Sequence, residues 1–188
     1  MSSIKLKGST SGDVTITVPA EAGSNTITIP ATTGTMLDTN SVISSAKLPA
    51  GSIVQIIHNS TTTATGTTAA AFTATNCAAQ ITPSVAANKI IVMVSSSVYI
   101  SAANQQASAT IYRDSTNLSA SSTRGIVQFW DTGDLYQGDC SIILTDHPNT
   151  TNAVTYALYI RKLSSGGSQV FAGVDSTTQF ITLLEVQV

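Results

Sequence analysis

Charged side chains are scarce in this sequence. Asp, Glu, Lys and Arg make up 10% of its 188 residues, and the net charge is −2, whereas an average soluble domain has roughly 25% charged residues. The eight basic residues are scattered, so the sequence has no cluster of positive charge that would bind nucleic acid or an anionic membrane. No apolar run reaches the roughly 18 residues that span a bilayer. We therefore expect no nucleic-acid partner and no membrane insertion.

Cysteine and strong helix formers are also rare. The two cysteines, Cys77 and Cys140, are too few for a disulfide framework, and we interpret both as small buried hydrophobic residues. Ser and Thr together supply 54 residues, and Val and Ile are common. Because β-branched side chains are stiff at χ1 and suit a pleated surface, this composition predicts an almost all-β chain.

An internal repeat occupies the first 40 residues. Thr15–Gly23 returns as Thr26–Gly34, with six of the nine positions identical. Each copy has the pattern of a short strand, apolar on one face, that ends at a proline. The apolar burial within one such unit does not offset the entropy cost of ordering it, which is about 1–2 kcal/mol per residue. We therefore predict that further copies of the chain cover its apolar face. The predicted trimer interface consists of Ile16, Val18, Ile27 and Ile29. A flexible polar tail is the alternative.

Three regions follow from these patterns: a β-repeat arm at 1–38, a linker at 39–50 and a sandwich domain at 51–188. Apolar segments recur in the last region between Gly, Pro, Asn and Asp clusters. The predicted strands are Ser52–Asn59, Ala69–Thr75, Ala78–Thr82, Lys89–Ile100, Gln106–Arg113, Arg124–Trp130, Asp139–Thr145, Ala153–Lys162, Gln169–Ala172 and Gln179–Val188. Ile90–Val94 is apolar on both faces, which places it centrally in a sandwich or against a neighbouring subunit. Eight to ten strands without a convincing helix predict a jelly-roll-like β-sandwich.

Two parts of the chain resemble virion proteins of marine bacteriophages. Gly12–Gly34 is similar to a short motif of tail-fibre and other virion proteins. The remainder resembles a C-terminal domain of such proteins in six ordered fragments: Gly51–Ile57, Ile81–Ser84, Asn88–Val92, Thr110–Thr116, Val154–Tyr159 and Thr182–Val186.

This resemblance implies a homotrimeric virion structural protein with a β-sandwich head, no catalytic residues and no cofactor. Its partners would be its own copies and, through the N-terminal arm, other capsid or tail proteins. The chain is short for a tail fibre, which favours a capsid-decorating (head-fibre) protein or a short accessory fibre. The N-terminus has no apolar segment of the kind found in export signals, so we expect synthesis in the host cytoplasm and display on the virion.

Enzymatic and metal-binding motifs are weak. An apolar strand followed by Asp131-Thr132-Gly133 is typical of aspartic proteases, in which two aspartates share a proton. Asp134 argues against this because its charge would disturb the shared proton, and a turn explains the same residues. Asp131, Asp134 and Asp139 are candidate Ca²⁺ ligands, but their spacing is not that of an EF-hand. We therefore expect no enzyme and no metal site.

Recognition of a ligand is the better candidate for the same loop. Trp130 and Tyr136 flank it, and an aromatic face beside carboxylates is a common way to hold a sugar. The predicted ligand-facing residues are Trp130, Asp131, Asp134 and Tyr136, with a host-surface glycan as the ligand. This gives a second hypothesis for the function of the chain, as a receptor-binding fibre tip or lectin-like adhesin. Alternatively, Trp130 is a core anchor, since tryptophan is highly buried on average.

Overall fold

The chain forms two compact units, Met1–Ser41 and Val42–Val188. The computed structural model describes residues 3–17, 23–24, 26, 31, 43, 47–131, 133 and 135–188. In these residues, no helix is long and apolar enough to cross a membrane.

The first unit contains an antiparallel hairpin of β1 (Ser3–Lys7) and β2 (Asp13–Thr17). Its turn closes with the Gly8 N–H donating to the Gly12 carbonyl at 2.9 Å. Gly12 has φ +80°, a conformation that favours glycine. The strand predicted at the start of the repeat corresponds to β2. Its partner β1, which lies outside the repeat, was not predicted.

The second unit is built from β-strands, and all their pairings are antiparallel in the described part of the chain. These strands are β3 (Ile53–Thr61), β4 (Thr65–Thr67), β5 (Thr73–Ile81), β6 (Lys89–Ile100), β7 (Gln106–Arg113), β8 (Thr116–Asn117), β9 (Val127–Trp130), β10 (Tyr136–Asp146), β11 (Val154–Lys162), β12 (Val170–Ala172) and β13 (Gln179–Val186).

One sheet has six strands, with β6 at its centre. Along one side β6 pairs with β10 over its full length, and along the other it pairs first with β13 and then with β12. The outer positions beyond β13 and β12 belong to β3 and β4. Ile90, Val92 and Val94 are buried, while Ile91 and Met93 lie on the opposite face and are partly exposed. The apolar run Ile90–Val94 therefore lies within β6, the central strand of the sheet.

The second sheet has five strands, in the order β5-β11-β7-β8, with β9 also paired to β7. Side chains from both sheets form one continuous core, since alternate residues of each strand point inward. Members of that core are Ile81, Val92, Val94, Ile111, Phe129, Ile142, Tyr156, Leu158 and Leu183. The all-β prediction is confirmed, and the arrangement is consistent with a β-sandwich.

Most predicted strands recur, but two of them are wrong. Ala69–Thr75 and Ala78–Thr82 are replaced by the single strand β5, Thr73–Ile81. Asn76 lies between the two predicted strands, yet it takes an exposed position within β5, and its side-chain amide donates to Thr65 Oγ1 at 3.0 Å. The short strands β4 and β8 were not predicted, because two or three residues are too few for a period-two pattern.

Candidate interaction surfaces

The N-terminal hairpin presents an uncovered apolar face. Ile4 lies opposite Ile16 and Leu6 lies opposite Val14, so all four share one face. Each of these side chains is at least 45% exposed. The other face is polar and includes an ion pair between Lys5 Nζ and Asp13 Oδ2 at 2.8 Å. A two-stranded sheet in water is marginally stable, so this face is a candidate for contact with another apolar surface.

Of the predicted trimer interface, Ile16 lies on this hairpin face. Val18, Ile27 and Ile29 lie outside the described residues. The hairpin adds Ile4, Leu6 and Val14 to the apolar surface at this end of the chain. Alternation of apolar residues with Lys5 and Lys7 is the sequence signal that marks β1 as a strand.

Trp130 is a surface residue at the end of β9. It is 58% exposed, whereas Phe129 beside it is buried. Successive side chains of a strand point to opposite faces, so only one of the two can enter the core. The interpretation of Trp130 as a core anchor is therefore wrong, and Phe129 has that position.

The turn after Trp130 is organised by Asp131. Asp131 Oδ1 accepts the Gly133 N–H at 3.1 Å, and the Asp131 N–H donates to the Gln105 carbonyl at 3.0 Å. Such a side-chain-to-backbone bond two residues on is an Asx turn, the simpler alternative to a protease motif. Asp134 lies outside the described residues.

Tyr136 does not share the exposed position of Trp130. It begins β10, where its ring lies 5.7 Å from that of Phe129, at the margin of the core. Trp130 is on the outer side of β9, so the two predicted aromatic residues of the ligand loop face different surroundings. Leu135, the residue before Tyr136, is 59% exposed.

The groups that could carry chemistry are separated or buried. In the described residues, no three His, Cys, Asp or Glu side chains are grouped for a metal ion. His58 is on β3 and His147 follows β10, so β13 and β6 lie between them. His58 Nδ1 is 2.9 Å from Thr182 Oγ1.

Both cysteines are free and buried, as predicted. Burial raises the pKa of Cys77 to about 11. Burial, followed by the charge of a Cys77 thiolate, raises the pKa of Cys140 to about 12. Because the thiolate is the nucleophile, neither residue is reactive at neutral pH.

A charged cluster joins the two sheets at one end of the core, and sequence reasoning missed it. Arg113 Nη1 lies 2.6 Å from Asp146 Oδ2, and the Tyr156 hydroxyl donates to the same oxygen at 2.7 Å. Burial, and then the bond to Asp146, raises the pKa of Tyr156, so the hydroxyl stays protonated. Arg113 and Tyr156 lie opposite each other in the five-stranded sheet, while Asp146 ends β10 in the six-stranded sheet. The cluster therefore serves to fasten the sheets together.

No protein family model matches the sequence, and no curated protein is significantly similar to it.

Proposed function

We propose that this protein is a non-enzymatic structural protein of a bacteriophage virion, a homotrimeric fibre or capsid-decorating protein. In this proposal, a jelly-roll-like sandwich is displayed on the particle, and the N-terminal arm joins three copies and contacts other virion proteins. The observation that carries it is the apolar face of the hairpin, which one chain leaves uncovered. The resemblance of Gly12–Gly34 to a virion-protein motif supplies the viral context.

The energetics favour association through the arm. Full burial of an aliphatic side chain of this size contributes about 1.5–3 kcal/mol, and roughly half of that is still available from each of Ile4, Leu6, Val14 and Ile16. Three such hairpins around an axis would cover one another's apolar faces and leave the Lys5 and Asp13 faces in water. Burial of the repeat residues Val18, Ile27 and Ile29 belongs to the same proposal.

The test is the native mass of the purified chain and of Ile16→Asp. We expect a trimer for the wild type and a monomer for Ile16→Asp, because the new carboxylate would be buried without a partner. Light scattering after size-exclusion chromatography measures both. Thr15→Asp is the matched control, since it places the same charge on the polar face beside Lys5. A monomeric wild type, or an Ile16→Asp trimer, would contradict the proposal.

Position on the particle needs a second measurement. An antibody against the chain, imaged on intact virions, separates a capsid protein from a tail protein. Failure to label any virion would contradict display on the particle.

A receptor-binding tip or lectin-like adhesin is the second candidate function. The exposure of Trp130 beside the Asp131 turn favours it, since an accessible aromatic face next to a carboxylate can stack on a sugar. We expect Trp130→Ala to abolish binding on a glycan array, with His58→Ala on the other sheet as the control. Equal binding by Trp130→Ala and the wild type would rule out this loop as the site.

A further inference from the structure

The six-stranded sheet has an apolar outer face that the chain leaves uncovered. Inward residues of its strands, such as Val92, Ile142 and Leu183, are buried in the core. The residues between them point outward, and several are apolar instead of polar. We call the following set the sheet face: Ile56, Ile91, Met93, Ile143, Phe180 and Leu184.

Strand register makes the sheet face continuous. Leu184 of β13 lies opposite both Ile56 of β3 and Ile91 of β6. Two residues along β6, Met93 lies opposite Ile143 of β10. Phe180 lies opposite Ser95, the next outward residue. The apolar side chains therefore extend across four neighbouring strands.

The area of the sheet face is large enough for a contact with another surface. Ile56, Met93, Ile143 and Phe180 are between 39% and 69% exposed. Together with the half-buried Ile91 and Leu184, they leave on the order of 400–500 Å² of apolar surface, which is the size of the largest apolar patch on a typical protein and is often functional. Two such faces bury close to 1,000 Å², which is the lower limit of a specific interface. Contact of this size is weak between free chains, but it forms readily when an arm already holds the copies together.

The charges on and around the sheet face indicate what kind of surface could pack against it. No member of the sheet face is charged, and Ser95, Ser141 and Thr182 between them are uncharged as well. The charged outward residues Lys89 and Asp139 lie at the two ends of the face, and His58 lies at its β3 side, opposite Thr182. Burial of an unpaired charge is costly, so an interface between copies needs an uncharged centre. An uncharged apolar face is compatible with another copy of the same chain, whereas it offers nothing to a charged partner.

The shape of the sheet face is also compatible with packing against a second copy of the chain. A groove of about 230 Å³ lies on it, lined by residues that include Met93, Ile143 and Phe180. Ile56, two strands away from β6, stands 60% exposed at the other side of the face. A protruding side chain and a groove on one surface allow head-to-tail contact, which closes into a ring of copies when the rotation permits.

We propose that the sheet face of one copy packs against a second copy of this chain, forming a subunit interface of the sandwich domains separate from that of the arm. This inference rests on the proposed trimer, because the arm supplies the local concentration that the contact needs. Mutation of the sheet face alone would then separate the sandwich domains of the trimer, while the N-terminal arms would still hold the three copies together.

The experiment uses thiol labelling of the full chain carrying Ile143→Cys, with Ile56→Cys as a second probe. Native Cys77 and Cys140 stay unreactive near neutral pH because of their raised pKa values. Each probe is labelled in the otherwise wild-type chain and in the Ile16→Asp background, which separates the copies. Gln128→Cys, at an exposed position of β9 in the other sheet, is the matched control.

We expect Cys probes at positions 143 and 56 to react roughly tenfold or more slowly in the trimer than in the Ile16→Asp background. The Gln128→Cys control should react equally in both. A trimer in which both probes react freely would overturn the sheet-face inference and leave the trimer in place. Probes that become protected only on intact virions would assign the face to another virion protein, which also overturns it. A monomeric wild-type mass would overturn both proposals.

Discussion

At the residue scale, the most informative side chain is Glu185, a carboxylate with no accessible surface. Its Oε1 accepts the Ser84 N–H at 2.8 Å, the Ser84 hydroxyl at 2.7 Å and the Asn88 amide at 2.7 Å. Gln55 donates to Oε2. Burial of a charge is costly, and here several donors offset that cost. Glu185 thereby fastens the segment between β5 and β6 to the last strand.

We expect Glu185→Gln to lower the free energy of unfolding by about 1–3 kcal/mol, because an amide replaces one acceptor oxygen in a cluster of donors. Urea denaturation measures the change. Asp139→Asn, at an exposed position of β10, is the control and should stay within about 0.5 kcal/mol of the wild type. Equal stability of both variants would show that the donors do not stabilise the carboxylate.

Glu185 also predicts a pH dependence. Burial by itself would raise its pKa, but the hydrogen bonds from Asn88, Gln55 and Ser84 outweigh burial and lower it below the ordinary value of 4.5. A lowered pKa in the folded state stabilises the protein above the unfolded pKa. That stability is lost as the pH falls below about 4.5 toward the folded value. The loss should be smaller in Glu185→Gln, and an identical acid profile would contradict the assignment.

At the element scale, β8 and the segment between β8 and β9 cover the outer side of β7. Ser108 and Thr110 are fully buried although they point away from the core. The Ser108 hydroxyl donates to the Arg124 carbonyl, and the Thr110 hydroxyl donates to Asn117 Oδ1 at 2.8 Å. This explains why β7 is buried on both faces, which its small polar residues did not predict.

Gly125 lets that segment lie close to β7. Its φ is +67°, and a Cβ there would be 2.6 Å from the Ala109 carbonyl oxygen and 3.1 Å from the Phe72 ring. We expect Gly125→Ala to lower the melting temperature and to cost more than about 2 kcal/mol, from backbone strain and overpacking together. Gly133→Ala, where nothing lies within 4 Å, is the matched control. A Gly125→Ala protein as stable as the control would contradict this packing.

At the scale of the whole molecule, each of the two units leaves one apolar sheet surface uncovered. The hairpin exposes Ile4, Leu6, Val14 and Ile16, and the second unit exposes the sheet face. A chain with 10% charged residues has few charges to place between copies, so the proposed association through these surfaces would depend on apolar burial.

We therefore expect the trimer mass to be the same from about 0.1 M to about 1 M NaCl, since salt screens ion pairs but does not weaken apolar contacts. Light scattering across that range tests this, with Lys5→Ala as a control for the exposed Lys5–Asp13 pair. Dissociation at high salt would show that ionic contacts hold the copies together.

Particular residues show which features of the structure could be predicted from the sequence. The bounds of β6 and β7 agree with prediction, because each is a long β-rich segment between turn residues. Cys77 and Cys140 are buried as expected. In contrast, Trp130 and Tyr136 were predicted on one loop surface, yet Tyr136 packs on Phe129 at the margin of the core. Adjacency along the chain did not tell which face each ring would take.

By itself, the sequence determined the all-β class and the bounds of β6 and β7, since β-branched composition and flanking turn residues act locally. The tertiary structure decided which strands became neighbours. Only that pairing brings Arg113, Asp146 and Tyr156 to one point and joins Ile56, Leu184, Ile91, Met93 and Ile143 into one face. Contacts between distant strands depend on sheet order and register, which no local pattern of residues encodes.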